Sequence, residues 1–368
     1  MTTYYVGLDV HSKESVFVIQ RAKGKLVAQG AVPTTPQGLG RLRAEHHLPE
    51  GTPVALETGT VAFFVARQLA ALGLKPVVVD AHEVRIKAHR PTQKCDRRDA
   101  RELCEGLRRG IYRSIVHVPP HRVAVLRDTL WRRRHFVRVQ TRETNAVKSL
   151  LRAAGQGHLS RYLRNERGWV SLLAALDTPS ELRTYVELHH ALWRCAGEQR
   201  GALERALAAQ QPHFAPALER LQTIPGVGPL VAATAVAVFS DVTRFPDAKH
   251  AASYVGVIPS MCQSGDRNPH GRLTRRGSAE LRTMLCEAAH HARRSAHPLN
   301  PYFTKLCARR GYRMAVMAVA HRLARIIYAM LRHGTAFDVT KLSVEIGPFE
   351  HKTVRVYRLR KATRAASK

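Results

Sequence analysis

At 368 residues, with 59 Lys and Arg against 28 Asp and Glu, the chain carries a formal charge of +31. Charge of that size and spread points to a polyanion, nucleic acid before membrane, and argues against a merely solubilising surface, because self-repulsion costs stability. An apolar fraction of 45% suffices for two or three packed domains, and six cysteines without a C-x-x-C pair argue against a zinc ribbon or disulfide framework and fit free thiols in a reducing cytosol.

In chain order, residues 4–10 and 15–20 read as strands joined by a polar turn, and a third strand covers 26–32. A helix at 37–46, a strand at 54–57, a helix at 61–72, a strand at 75–79 and a helix at 96–109 follow. Strands in a row, then alternating strands and helices, predict a mixed sheet covered by helices, an α/β domain over residues 1–118 that closes at Pro119-Pro120.

Residues 121–152 read as one long helix. Val123, Leu126, Leu130, Arg133, Val137, Gln140, Thr144, Val147 and Leu151 follow the 3-4 spacing of a coiled-coil seam, polar at its middle. A second helix near 179–210 either pairs with it as an antiparallel hairpin or dimerises, so 119–216 is read as a helical linker and assembly region. The basic run Arg132, Arg133, Arg134 is a candidate nucleic-acid contact, against the plainer reading of a solvated helix face.

A mainly α-helical domain is expected over 217–340. Its opening Ile224-Pro225-Gly226-Val227-Gly228 reads as the turn of a helix-hairpin-helix element, where Gly226 and Gly228 let backbone N–H groups meet a phosphate at the next helix's N-terminus. An ordinary interhelical turn is the alternative. Further helices are expected at 248–255, 278–292 and 313–332, and 341–368 is a basic tail. No signal segment opens the chain, and the apolar run 229–239 falls short of the ~20 residues of a membrane span, so a cytoplasmic protein without membrane contact is expected.

Four acids stand out in so basic a chain: Asp9 and Glu57 at the ends of apolar strands, and Asp96 and Asp99 three apart on one helix face. Each alone has a local explanation: Asp96 as an N-cap, Asp99 as first-turn acid, Asp9 as a turn residue, Glu57 as the lead into a strand-to-helix loop. Together they fit a ribonuclease H-like layout that holds divalent metal against a phosphodiester, as two-metal phosphoryl transfer requires.

The run Gly7-Leu8-Asp9-Val10-His11-Ser12-Lys13, then Leu56-Glu57-Thr58-Gly59, then Lys94-Cys95-Asp96-Arg97-Arg98-Asp99-Ala100 resembles the RuvC-like DEDD domain of insertion-sequence-110 family transposases. Ile224 to Gly228, Phe245, Ala251 to Pro259, Ser264-Gly265, Arg275-Arg276-Gly277 and Leu281-Arg282 are similar to that family's transposase 20 domain. The resemblance implies that Asp9, Glu57, Asp96 and Asp99 are metal ligands, and that Ser264 attacks DNA to form a covalent phosphoserine link. It also implies a composite active site and guidance by a structured bridging RNA that pairs with donor and target DNA; recombination on two DNA sites requires at least a homodimer, and the resemblance favours a tetramer.

A serine hydroxyl must be activated, and no base lies near Ser264 in sequence, so metals on the four acids are the expected activators. Two Mg²⁺ ions are expected, with Mn²⁺ able to substitute. Arg267, Arg272, Arg275 and Arg276 are candidates for binding DNA phosphate or neutralising developing charge. Cys95, before the first helical aspartate, stands where a small hydroxyl residue would suit the family pattern. Two rival readings remain: a RuvC-like, Holliday-junction type endonuclease in which water attacks, and a non-enzymatic nucleic-acid-binding scaffold.

Overall fold

The computed structural model describes residues 3–87, 95–176, 181–261, 270–273 and 277–342. The chain divides into two compact units, residues 1–120 and 121–368.

The first unit is built on a five-stranded mixed sheet. β1 (Tyr4–Val10), β2 (Glu14–Arg21) and β3 (Leu26–Pro33) form an antiparallel meander. α1 (Pro36–Glu45) then carries the chain over to β4 (Pro53–Glu57), which pairs parallel to β1, and α2 (Ala62–Ala71) leads to β5 (Lys75–Val79), parallel to β4. The strand order is β3-β2-β1-β4-β5, so β1 lies at the centre. Thr35 starts α1 by accepting the Gly38 N–H at 3.1 Å, with Pro36 in the first turn, where its missing donor costs nothing. α3 (Ala81–Lys87) and α4 (Asp96–Arg109) complete the unit.

Alternation along the strands divides the sheet into two faces. Val6, Leu8, Ile19, Val54 and Leu56 point into a core with Leu39, Leu42, Val65 and Leu69 of α1 and α2, and all are fully buried. Each such side chain contributes roughly 2 kcal/mol. On the other face, Tyr5, Val16 and Val18 meet Ala100 and Cys104 of α4.

The second unit is helical. α5 (His121–Ala153) and α7 (Glu181–Gln210) run antiparallel, because rising positions on one meet falling positions on the other: Thr129 with Gln210, Arg133 with Glu204, Gln140 with Arg200, Glu143 with His189. Of the expected seam, Leu126, Leu130, Gln140, Val147 and Leu151 are buried, and Thr129 and Glu143 join them. α6 (Glu166–Ala175) closes the far end, where buried Trp169 stacks on His190 at 5.3 Å.

α8 (Ala215–Gln222), α9 (Pro229–Phe239), α10 (Ala248–Val255), the short antiparallel pair β6 (Pro259–Met261) and β7 (His270–Leu273), α11 (Ala279–His290), α12 (Asn300–Arg310) and α13 (Tyr312–His333) follow. Leu221, Phe239, Leu285, Leu323 and Ile327 centre their core. α6, α12 and the β6–β7 pair were not anticipated from the sequence. α13 is the one described helix long and apolar enough to cross a membrane, longer than the 229–239 run expected to be the extreme; Val319, Ala320, Leu323 and Ile327 bury one side of it in the helical core.

Candidate metal site and nucleic-acid contacts

The acid cluster is assembled by the packing of α4 on β1. Gly7 makes that packing possible: a Cβ there would lie 2.0 Å from the Ala100 carbonyl oxygen and 2.4 Å from the Cys104 amide nitrogen. With no side chain in the way, helix and strand pass backbone to backbone. Cys104 Sγ reaches the Tyr5 carbonyl at 3.2 Å, so rising positions on β1 meet falling positions on α4. Two residues beyond Gly7 on the same face stands Asp9; one turn before Ala100 stands Asp96. The close approach at Gly7 thus sets the two carboxylates at the same end of the sheet.

Glu57 arrives by sheet register. Leu8 pairs with Leu56 in the parallel β1–β4 ladder, and Asp9 and Glu57 each follow by one position, which puts both at the same end of the sheet and on the face opposite Leu8 and Leu56. The loop after it is fixed by the Thr58 hydroxyl, which accepts the Ala81 N–H at 3.0 Å, and by the Thr58 N–H, which donates to Val79. Asp99 lies one turn along α4 from Asp96. The N-cap of α4 is Cys95, whose side chain makes no capping bond, so Asp96 is a first-turn residue and the N-cap explanation does not apply to it. Cys95 is exposed.

His11 joins the cluster. Its Nε2 lies 3.2 Å from Asp9 Oδ2 and 3.5 Å from Asp96 Oδ2. The ligand atoms of Asp9, His11 and Asp96 lie within 4.8 Å of one another, a spacing that suits one cation. Asp9 Oδ2 is buried and has no aligned hydrogen bond. Burial pushes the Asp9 carboxyl above the usual range; His11 opposes this, and Asp99 and Asp96 add to it. A buried oxygen short of donors, among like charges, fits a divalent cation. His11 escaped the sequence reading because it sits in a polar turn. Its one local signal was its place two residues after Asp9.

The arginines divide by what they touch. Arg133 pairs with Glu204 at 2.7 Å and Arg134 with Glu280 at 3.2 Å, whereas Arg132 is exposed. Arg127 and Arg244 donate to the carbonyls of Ala237, Val238 and Phe239 at the C-terminus of α9, and Arg244 stacks on Phe245 and Tyr254. Part of the basic excess is therefore used inside the fold.

Gly226 has φ 83°, the left-handed region that favours glycine, in the turn between α8 and α9. Gly228 is the N-cap residue of α9 and faces open space. His297 holds this turn: its Nε2 bonds the Pro225 carbonyl at 3.0 Å while Nδ1 accepts the Leu299 N–H at 3.0 Å. Arg272 lies on β7. Ser264, Arg267, Arg275 and Arg276 lie outside the described residues.

Two family models match separate stretches of the chain. A transposase family model for the DEDD domain of IS110 elements matches residues 6–155, and the model described as "Transposase IS116/IS110/IS902 family" matches residues 218–304. The chain belongs to this transposase family. A "Probable family 20 transposase" of Pseudomonas aeruginosa is 27% identical over 305 residues, covering 77% of this chain and 85% of that protein. The transposase for insertion sequence element IS1111A of Coxiella burnetii is 25% identical over 276 residues, 72% of this chain and 73% of that protein. The pilin gene-inverting protein of Moraxella lacunata is 31% identical over 121 residues, 32% of this chain and 38% of that protein. This transposase is accordingly an enzyme of DNA transposition and recombination, its substrate is DNA, and its DEDD domain implies a divalent metal.

Proposed function

We propose that this transposase cuts and rejoins donor and target DNA through a serine-linked intermediate, with Asp9, Glu57, Asp96 and Asp99 as the divalent-metal site and Ser264 as the nucleophile. The observation that carries the metal reading is the buried, donor-poor Asp9 Oδ2 facing Asp96 across the β1–α4 packing. The strand order β3-β2-β1-β4-β5, with the first acid on the central strand and two on a covering helix, supports a ribonuclease H-like, RuvC-like reading of residues 1–118. The assignment of Ser264 rests on the family resemblance.

In this reaction the Ser264 Oγ–phosphorus bond forms as the phosphorus–oxygen bond to one sugar breaks, and that sugar leaves as a hydroxyl carrying the proton. Attack by a sugar hydroxyl of the exchanged strand reverses the step, restores the serine and conserves the phosphodiester without ATP. Two Mg²⁺ ions, or Mn²⁺ in their place, would draw charge from the scissile phosphate and acidify the attacking hydroxyl. The four acids hold that charge in place. Exposed Arg132, with Arg267, Arg272, Arg275 and Arg276, binds phosphate, and the Gly226–Gly228 turn presents backbone N–H groups to it as a helix-hairpin-helix element.

Residues 119–216 serve as the assembly region, 217–340 as the transposase domain and 341–368 as a nucleic-acid-binding tail. Two DNA sites require at least a dimer, with a tetramer preferred, and a structured bridging RNA selects the sequences. The enzyme acts in the cytoplasm on the nucleoid.

The test is a denaturing gel of protein, its co-expressed RNA, Mg²⁺ and labelled donor DNA. A protein–DNA band lost in both Ser264→Ala and Asp9→Ala is expected. Cleavage that survives Ser264→Ala without an adduct would instead establish a water-using nuclease.

A further inference from the structure

Resting on the reading that a divalent cation sits among these acids, we infer that His11 supplies a nitrogen ligand to it, which turns an all-oxygen site into a mixed one that prefers Mn²⁺ to Mg²⁺. The first support is spacing. Neighbouring ligands around an ion with bonds of about 2.1 Å lie about 3 Å apart. His11 Nε2 stands 3.2 Å from Asp9 Oδ2 and 3.5 Å from Asp96 Oδ2, the separations of atoms that share one coordination shell.

The second support is alignment. An imidazolium acting only as counter-ion would aim its N–H at the carboxylate. Asp9 Oδ2 has no aligned hydrogen bond despite its short distance from Nε2, as expected when nitrogen and oxygen both face a third point. The third support is placement. The His11 backbone is held on both sides, its N–H donating to the Glu14 carbonyl at 3.2 Å and its carbonyl accepting from the Thr34 hydroxyl at 2.8 Å. The imidazole itself is 47% exposed, so it has no core to fill. It is an exposed side chain on a fixed backbone, within 3.5 Å of two acids.

Donor chemistry sets the selectivity. Mg²⁺ favours carboxylate, carbonyl and water oxygens, whereas imidazole nitrogen suits the later divalent metals, and Mn²⁺ accepts both.

The test uses the full-length protein with Mn²⁺, read by electron spin-echo modulation for directly bound ¹⁴N and by Mg²⁺ competition. Wild type is expected to show the nitrogen signal and to hold Mn²⁺ more tightly than Mg²⁺. His11→Ala is expected to lose the signal and bind Mn²⁺ about tenfold more weakly or worse, with Mg²⁺ binding less affected. His11→Asn, which offers an oxygen at similar reach, is expected to recover part of the Mn²⁺ affinity without nitrogen modulation. Asp9-dependent Mn²⁺ binding that lacks a His11-dependent nitrogen signal, or that tightens in His11→Ala, would overturn the ligand role and mark His11 as a counter-ion. Mn²⁺ binding unchanged in Asp9→Ala would remove the underlying metal reading instead. Melting curves of each variant without metal separate these outcomes from misfolding.

Discussion

Asp9, half-buried with one oxygen out of reach of water, and Glu143, fully buried, are carboxylates that the chain treats in opposite ways. Glu143, on α5, receives the His189 ring nitrogen at 2.7 Å and the Arg142 guanidinium at 2.9 Å. Burial raises its pKa, but these partners more than offset it, and the group ends below its ordinary value. Next to it Gln140 is matched too, donating to the Trp193 carbonyl and accepting from Arg200. Asp9 has one misaligned histidine and two further acids, and its pKa rises. The difference separates a polar group that completes a fold from one that awaits a ligand. The helix pair closes its own accounts with side chains; the sheet end does not.

The largest way to break the comparison is to remove the packing that creates the sheet-end site. Gly7→Ala drives a methyl into the Ala100 carbonyl and the Cys104 amide, so α4 must leave β1. We expect a loss on the order of 3 kcal/mol in chemical denaturation and loss of Mn²⁺ binding although every acid remains. Next is Glu143→Ala, which strips His189 and Arg142 of their shared partner. We expect about 2 kcal/mol of destabilisation, with Mn²⁺ affinity at the acid site unchanged. Metal binding lost in Glu143→Ala, or kept in Gly7→Ala, would erase the distinction.

The strength of the sequence signal follows the same division. Strands at 4–10 and 75–79 and the helix at 96–109 were legible because each is a continuous apolar or amphipathic run with polar ends. Asp9, Asp96 and Asp99 could be singled out as rare acids in a basic chain. Their meeting could not be read locally, since it depends on Gly7 admitting a helix that begins 89 positions later in sequence. Glu143 escapes for another reason. The 3-4 spacing carries the expected seam through Thr144, but a straight helix drifts against a 3.5-residue repeat, and the buried stripe takes in the neighbouring position. The interhelical pairs of Arg133 and Arg134 are set by α7 and α11, and a run of arginines carries no trace of them.

A third buried titratable group tests whether full pairing predicts pH behaviour. His297 has both ring nitrogens occupied at the Pro225 turn, and burial, with nearby His291, holds its pKa below the ordinary 6.5. The folded state therefore prefers the neutral ring. That preference stabilises the fold fully above 6.5 and is lost progressively as pH falls below it, because protonation turns the Nδ1 acceptor into a donor facing the Leu299 N–H. His321, lowered by burial and by Arg325, acts in the same direction. Thermal melts at about pH 5.5 and 7.5 should show the acid loss shrink in a His297→Asn, His321→Asn double variant; an unchanged pH slope would locate it elsewhere.

The smallest expected effect is the sharpest, because its sign reverses. An acid whose folded pKa is raised costs the fold nothing below its unfolded value of 3.8, and its penalty is complete once pH passes the folded value. At neutral pH, with metal chelated, Asp9→Asn removes that penalty and should raise the melting midpoint by about 2 °C. Added Mn²⁺ should then stabilise wild type by mass action and leave the asparagine variant behind, since only the wild type gains the binding term. Glu143→Gln, at a carboxylate that already has its partners, should lower the midpoint in both conditions. A stabilised Asp9→Asn that Mn²⁺ does not overtake would mean that the sheet-end acids are strained for a reason other than the cation.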